Sequence, residues 1–201
     1  MQRIPTPRRT RRAALALGGL LVAAGAAGVA TGSVAADFKQ APCTGKTIYV
    51  TQDNTTVHGT CGDDHIFVSE HTEVTIFAGD GNDKIHAGWG TGRVTIHAGN
   101  GNDEIGVSAY DKQLIVFAGE GDDVVRAAWG DDYIYGQGGN DLIFGNLGKN
   151  TIDGGEGDDT IFSVSGEQGA PDHLAGGPGY DVATIDPGDT TVGIEAVTVK
   201  Q

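Results

Sequence analysis

The chain is poor in much of what an ordinary globular core uses. Its 201 residues include 1 Met, 2 Cys, 2 Trp and 6 Pro. No apolar stripe of 3.6-residue period runs past the N-terminus, which argues against long amphipathic helices. No GxSxG, HExxH or P-loop phrase occurs, so those catalytic and phosphate-binding signatures are missing. "DGNDKI", from Asp80, looks superficially like an EF-hand loop, but it lacks the Gly at loop position 6 and the flanking helices. Positive charge is also scarce, with 13 Lys+Arg against 27 Asp+Glu and a net charge of -14.

Much of that positive charge sits at one end. Arg3, Arg8, Arg9, Arg11 and Arg12 form a basic start, an Ala/Leu/Gly/Val run follows from Ala13 to Ala30, and Val34-Ala35-Ala36 reads as a small-residue cleavage site. Residues 1–36 are therefore expected to be a signal peptide, with Asp37 as the mature start. The run is short and weakly apolar for an uncleaved anchor. Thr10-Arg11-Arg12 resembles a twin-arginine signal, but Ala14 replaces its usual Phe, so the export route stays open. Without this segment the balance is 8 − 27 = −19, because it holds five Arg and no acid. Such a surface repels nucleic acid and anionic lipid and favours cations. The expected location is secreted and extracellular, with no stable membrane insertion after signal removal. In an oxidising compartment Cys43 and Cys61 are expected to pair, which would staple the N-terminal edge with about 3 kcal/mol.

What is abundant is Gly, with 34 residues, and it is periodic. "FAGDGNDKI", "HAGNGNDEI" and "FAGEGDDVV" begin at Phe77, His97 and Phe117, one every 20 residues. In a nine-position frame, position 4 is Gly, position 6 is Asp and position 8 is apolar. The frame fits Gly59–Phe67, Ala78–His86, Ala98–Gly106 and Ala118–Arg126. It then runs end to end through Ala127–Tyr135, Gly136–Phe144, Gly145–Asp153 and Gly154–Phe162, and closes at Gly176–Thr184. A fixed period of this kind marks a repeat architecture. Gly, and Asn or Asp at position 5, tolerate left-handed backbone angles and suit a tight turn over the first six residues. The residues after it alternate, which predicts a very short strand with position 8 inward. Turn, strand, turn, strand winds into a flattened all-β solenoid with two parallel sheets and two units per coil.

Two stacks of turns follow. One edge collects Asp64, Asp83, Asp103, Asp123, Asp141, Asp159 and Asp181, at spacings of 19, 20, 20, 18, 18 and 22. The other edge is degenerate. Arg93, Lys112 and Lys149 fall in or beside its turns, Asn150 replaces an acid, and Asp132 and Asp172 are its remaining candidates. One acidic and one nearly neutral edge are expected. Carboxylates stacked at the inter-strand spacing of ~4.8 Å repel by ~1 kcal/mol each in water and ~3 at an effective dielectric of 20. A hard cation with flexible oxygen coordination, Ca²⁺, fits such a row better than Mg²⁺ or zinc.

The phrase resembles the glycine-rich nonapeptide of the hemolysin-type (RTX) calcium-binding repeat family, G-G-x-G-x-D-x-U-x, over residues 59–184. The resemblance implies a parallel β-roll, a right-handed β-solenoid, with Ca²⁺ as cofactor between successive turns. It makes the carboxylates of Asp64, Asp83, Asp103, Asp123, Asp141, Asp159 and Asp181 the side-chain ligands, with Asp181 the least secure. Carbonyls of Gly79, Asp80, Gly81, Gly99, Asn100, Gly101, Gly119, Glu120 and Gly121 would complete the shells. Seven turns leave six gaps. Ala78, Ala98, Ala118 and Ala127 depart from the pattern at position 1, as do Tyr180 and Ala183 in the last unit.

The expected organisation is 1–36 signal peptide, 37–58 N-terminal cap segment, 59–184 calcium-binding β-roll and 185–201 C-terminal capping strand. The short stretch before the repeats leaves no room for a catalytic domain. The expected function is a non-enzymatic, calcium-dependent structural or adhesive module, with a cell-surface glycan or protein as its kind of partner and no nucleic acid. A carbohydrate-binding module or polysaccharide-acting extracellular enzyme is the alternative. Phe77, His97, Phe117 and Tyr135 are expected to point outward in one row. Trp89, Trp129 and Tyr110 form a second, and these rows read either as stacking ladders or as a sugar-binding strip. The six His are expected to be surface residues outside the turn register.

Overall fold

The computed structural model describes residues 28–30, 43–69, 73–88, 92–108, 113–164 and 170–200. The basic start, the cleavage site at Val34–Ala36, Asp37, Trp89, Tyr110 and Lys112 lie outside them. All the regular structure described is strand. In chain order the strands are Gly28–Ala30 (β1), Thr47–Val50 (β2), Thr55–His58 (β3), His65–Val68 (β4), Val74–Asp80 (β5), Lys84–Ala87 (β6), Val94–Asn100 (β7), Glu104–Val107 (β8), Leu114–Glu120 (β9), Val124–Arg126 (β10), Tyr133–Gly138 (β11), Leu142–Phe144 (β12), Thr151–Glu156 (β13), Thr160–Ser163 (β14), His173–Ala175 (β15), Val182–Ile185 (β16), Thr190–Val192 (β17) and Ala196–Val199 (β18).

From β2 onward, alternate strands go to alternate sheets. Sheet A has the order β1-β2-β4-β6-β8-β10-β12-β14-β16-β18, and sheet B runs β17-β15-β13-β11-β9-β7-β5-β3. Each strand therefore pairs with the one two places on, always in parallel, as winding about a single axis demands. The roll starts earlier than residue 59, because β2 and β3 already form a coil. Gly28–Ala30, inside the expected leader, adds an edge strand on β2.

The core is two columns of side chains, one per sheet. In sheet A, Ile48, Ile66, Ile85, Ile105, Val125, Ile143, Ile161 and Ala183 are in register and buried. In sheet B, Val57, Ile76, Ile96, Val116, Ile134, Ile152 and Leu174 do the same. Position 8 of every unit from Gly59 to Thr184 lies in one of these columns, as alternation predicts. β-branched chains dominate them because they fit a pleated, fully buried ladder.

The expected division into a six-residue turn and a following strand needs one correction. In sheet B the strand runs on into the turn, so that Ala78-Gly79-Asp80 is still part of β5. The N–H groups of Gly81, Gly101 and Gly121 donate to Asn100, Glu120 and Gly138 of the next coil, which extends the ladder across the Gly-rich phrase.

Outward rings form a ladder on sheet B. His58, Phe77, His97, Phe117 and Tyr135 stack with centroids 5.2, 4.6, 4.7 and 5.1 Å apart and planes within 10°. Shorter stacks on sheet A join Tyr49, Phe67 and His86, and Phe144 with Phe162. Among the described residues His58, His65, His86 and His173 are exposed, as expected, and His58, His86 and His97 also take part in these ring stacks. In the sheet B ladder each ring covers its neighbour's face and turns its edge outward. A sugar ring stacks on an exposed aromatic face, so the ladder geometry favours inter-coil packing over a sugar strip.

Candidate metal centre

From Ala78 onward the turns of the first edge owe their shape to positions 2 and 4, which are glycine except for Gln137. At positions 2 and 4 the backbone turns to positive φ, +123° at Gly99 and +122° at Gly101. There is also no room for a side chain, since a Cβ on Gly99 would lie 1.9 Å from the Gly79 carbonyl oxygen of the preceding coil. Position 5 does not take a left-handed conformation as expected. Its side chains build a hydrogen-bond ladder instead. The N–H groups of Asn82, Asn102, Asp122, Asn140, Asp158 and Tyr180 donate to the position-5 side chain one coil earlier, at 2.7–3.1 Å.

A second ladder runs in the opposite sense through position 6. The N–H groups of Asp64, Asp83 and Asp103 each donate to Oδ1 of the Asp one coil later, all at 2.7 Å. Asp123, Asp141 and Asp159 continue the series at 2.8, 2.8 and 2.9 Å. It ends at Glu195, whose Oε2 accepts the Asp181 N–H at 2.8 Å. These carboxylates are not a surface row. All seven are at most 2% exposed, while the exposed acids of this edge belong to positions 3 and 5.

The second edge is less neutral than its composition suggests. The column that begins Thr55, Val74, Val94 and Leu114 switches to Asp132, Asn150 and Asp172. The same relay appears there: the N–H groups of Leu114, Asp132, Asn150 and Asp172 reach Asp132, Asn150, Asp172 and Asp189. The switch falls where the coil shortens from 20 to 18 residues and both edges carry nonapeptides.

One oxygen of each carboxylate is thus accounted for, and the other separates the sites. Oδ2 of Asp83, Asp103, Asp123, Asp141, Asp159 and Asp181 on the first edge, and of Asp132 on the second, is buried with no hydrogen-bond partner. Asp64 differs, since Lys46 N–H and Thr60 N–H occupy its two oxygens at 2.5 Å. At Asp172 the second oxygen accepts the Ser163 hydroxyl. At Asn150 the amide supplies its own donor, Nδ2 to the Gly145 carbonyl at 3.1 Å. An orphaned buried carboxylate oxygen is costly unless a proton or a cation reaches it.

The protonation equilibria express the same strain. Burial pushes the Asp83, Asp132 and Asp141 carboxyls up to about 7, Asp123 up to about 8, and Asp103 and Asp159 up to about 6. Asp172 and Asp181 are raised by burial as well. On the first edge, neighbouring acids add to the rise, and the N–H donated by the preceding Asp opposes it.

Among the described residues no group of three or more His, Cys, Asp or Glu side chains forms a cage. An ion here would be shared between carboxylates and backbone carbonyls, an all-oxygen donor set of the kind hard cations take. The Asn100 and Glu120 carbonyls each already accept one strand hydrogen bond, which leaves each a second lone pair. The donor chemistry therefore fits Ca²⁺. At the N-terminal end of this edge Cys43 and Cys61 form a disulfide, with Cα atoms 4.7 Å apart.

Parallel coils, glycine-tight turns and a buried Asp in each first-edge turn define a parallel β-roll. Residues 74–94, 90–106, 115–143 and 135–167 match four copies of the RTX calcium-binding nonapeptide repeat. Between residues 74 and 167 the chain is therefore similar to this calcium-binding repeat. The matched span is shorter than 59–184. Thr60 in the first unit and Tyr180 with Ala183 in the last set these units apart, and both fall outside the matched span. No curated protein and no solved structure gives a match to the chain.

Proposed function

We propose that this is an exported, calcium-loaded β-roll whose folding depends on the metal and whose role is structural or adhesive. The observation that carries it is the series of buried Oδ2 atoms without donors at Asp83, Asp103, Asp123, Asp141, Asp159 and Asp181. Ca²⁺ between neighbouring coils would supply the missing positive charge. Oxygens of these carboxylates would hold it, with carbonyls of the turn residues around Gly79–Gly81, Gly99–Gly101 and Gly119–Gly121. Asp64 is a weaker candidate, because both its oxygens already accept N–H groups. Asp132 joins the set as a second-edge candidate.

Export agrees with this, because extracellular calcium would let the chain fold after transit, and the disulfide suits an oxidising compartment. Calorimetric titration of residues 37–201 with Ca²⁺, followed by circular dichroism with and without EDTA, tests the proposal. Uptake of several ions with a gain of β-structure is expected. A chain equally folded in EDTA and taking up no calcium would refute it.

A further inference from the structure

One first-edge turn sets two groups side by side that can react with each other. Position 4 of these turns is always glycine, and the residue before it is Asp80, Asn100, Glu120, Gly138, Glu156 or Pro178 from Ala78 onward. Asn100 is the one amide in that series, and Asn100–Gly101 is the one Asn-Gly pair in the sequence. No side chain on the glycine hinders its nitrogen from closing on the asparagine amide carbon, which makes this the most labile asparagine context. The fold cannot exchange that glycine, because its φ is +122° and a Cβ would lie 2.2 Å from the Gly81 carbonyl oxygen. In the wound chain the two reacting groups are tied to opposite neighbours. The Gly101 N–H donates to the Glu120 carbonyl of the following coil at 2.7 Å. The Asn100 Nδ2 donates to Asp80 Oδ1 of the preceding coil, also at 2.7 Å.

We infer that Asn100 is a site of spontaneous covalent modification, suppressed while the roll is wound, and that conversion there bars its coil from winding again. Once unwinding frees the Gly101 nitrogen, it loses its proton and attacks Asn100 Cγ. The bond from Cγ to Nδ2 breaks, and ammonia leaves with that proton. The cyclic imide that remains takes up one water. Opening at one carbonyl gives aspartate, and opening at the other gives isoaspartate, whose main chain runs through Cβ and Cγ. Neither product suits the coil. Aspartate loses the Nδ2 donor and puts a further carboxylate in a column between Asp80 and Glu120, both in register with it. Isoaspartate takes the carbonyl that accepts the Gly81 N–H out of the main chain, and moves Gly101 one carbon away from its acceptor. The packed Gly99 beside it leaves no slack, with the Gly79 oxygen where a Cβ would be. The inference rests on the hydrogen-bond ladder and not on bound metal.

Peptide mapping by mass spectrometry, with isoaspartate and aspartate separated by chromatography, tests it. The intact chain is aged in calcium, in EDTA and in concentrated urea, beside a synthetic peptide of residues 98–104. In urea Asn100 should convert as fast as in the peptide and ahead of every other asparagine. In calcium it should convert at least about tenfold more slowly, through transient opening alone. Chain aged in urea and returned to calcium should regain strand content by circular dichroism only in its unconverted fraction. Asn100→Gln, aged in the same way, should regain as much as it did before ageing. Equal rates in calcium and urea overturn the inference, as does full refolding of chains that carry isoaspartate at residue 100. A loss of refolding in Asn100→Gln as large as the parent's overturns it too. The EDTA sample separates this from the calcium reading: conversion as slow as in calcium, with urea still fast, would count against metal-dependent folding and support the protection argued here.

Discussion

Asp103 shows how much one side chain carries in this fold. Its Oδ1 accepts the Asp83 N–H, its own N–H goes to Asp123, and its Oδ2 is orphaned. Two substitutions separate these roles. Asp103→Ala removes the acceptor and strands the buried Asp83 N–H, which should cost about 1–3 kcal/mol with or without metal. Asp103→Asn keeps an acceptor, removes the charge and offers a donor where the orphaned oxygen was, the arrangement that Asn150 already displays. It should therefore stabilise the metal-free chain while reducing calcium uptake by at least one ion. Urea unfolding in EDTA, paired with calorimetry in calcium, reads both, and equal behaviour of the two variants would contradict this division of labour. Gly99 tests the backbone in the same way. Its φ of +123° and the 1.9 Å approach of a Cβ to the Gly79 oxygen leave alanine no escape, because the obstacle is backbone. Gly99→Ala should unfold its coil or abolish calcium uptake there, whereas Gly106, whose nearest neighbour is a His86 ring nitrogen at 3.5 Å, should accept alanine far more readily.

At the scale of the coil, the strands were largely legible, because burial of one side chain in two leaves a plain mark. Ile66, Ile85, Ile105 and Ile143 each follow a position-6 Asp by two residues, and all are fully buried. The roles of positions 5 and 6 were harder to read. Asn82 and Asp83 look alike in sequence, yet Asn82 is an exposed acceptor for the N–H of Asn102 in the following coil and Asp83 a buried acceptor for the N–H of Asp64 in the preceding one. That difference comes from which way each carbonyl or carboxylate leans along the winding axis, and spacing alone does not encode it. The second-edge relay was missed in part for the same reason, since Asp132, Asn150 and Asp172 join a column that elsewhere holds Val94 and Leu114. The disulfide was legible from compartment and count. It links residues 18 apart and ties the first Gly-rich turn to the segment beneath it. Its removal in Cys43→Ser/Cys61→Ser should cost about 3 kcal/mol. Hydrogen exchange should show the loss concentrated in β2–β4, and uniform loosening along the roll would count against so local a staple.

Over the whole molecule the buried carboxyls couple folding to both protons and calcium. Each has an ordinary value near 3.8 when exposed in the unfolded chain, and burial raises it to between about 6 and 8 for Asp83, Asp103, Asp123, Asp132, Asp141 and Asp159. Between those limits the folded state binds more protons than the unfolded state, so stability must fall as pH rises. The metal-free roll is therefore expected to be most stable near pH 4, to lose that stability progressively as pH passes through 6 to 8, and to be weakest in mildly alkaline EDTA. Calcium reverses the trend by taking the place of the protons. It should bind weakly below pH 5, where it competes with them, and tightly above pH 8. Uptake near pH 7 should release protons, with more than one expected per chain because several carboxyls titrate together. Thermal melts at a series of pH values in EDTA and in calcium, with proton release followed in weakly buffered solution, give the two curves. They should have opposite slopes and converge towards acid, where protonated carboxyls leave calcium little to bind. A metal-free chain that gains stability from pH 5 to pH 8 would mean that these aspartates are ionised and satisfied without a cation, and the calcium ladder would lose its physical basis.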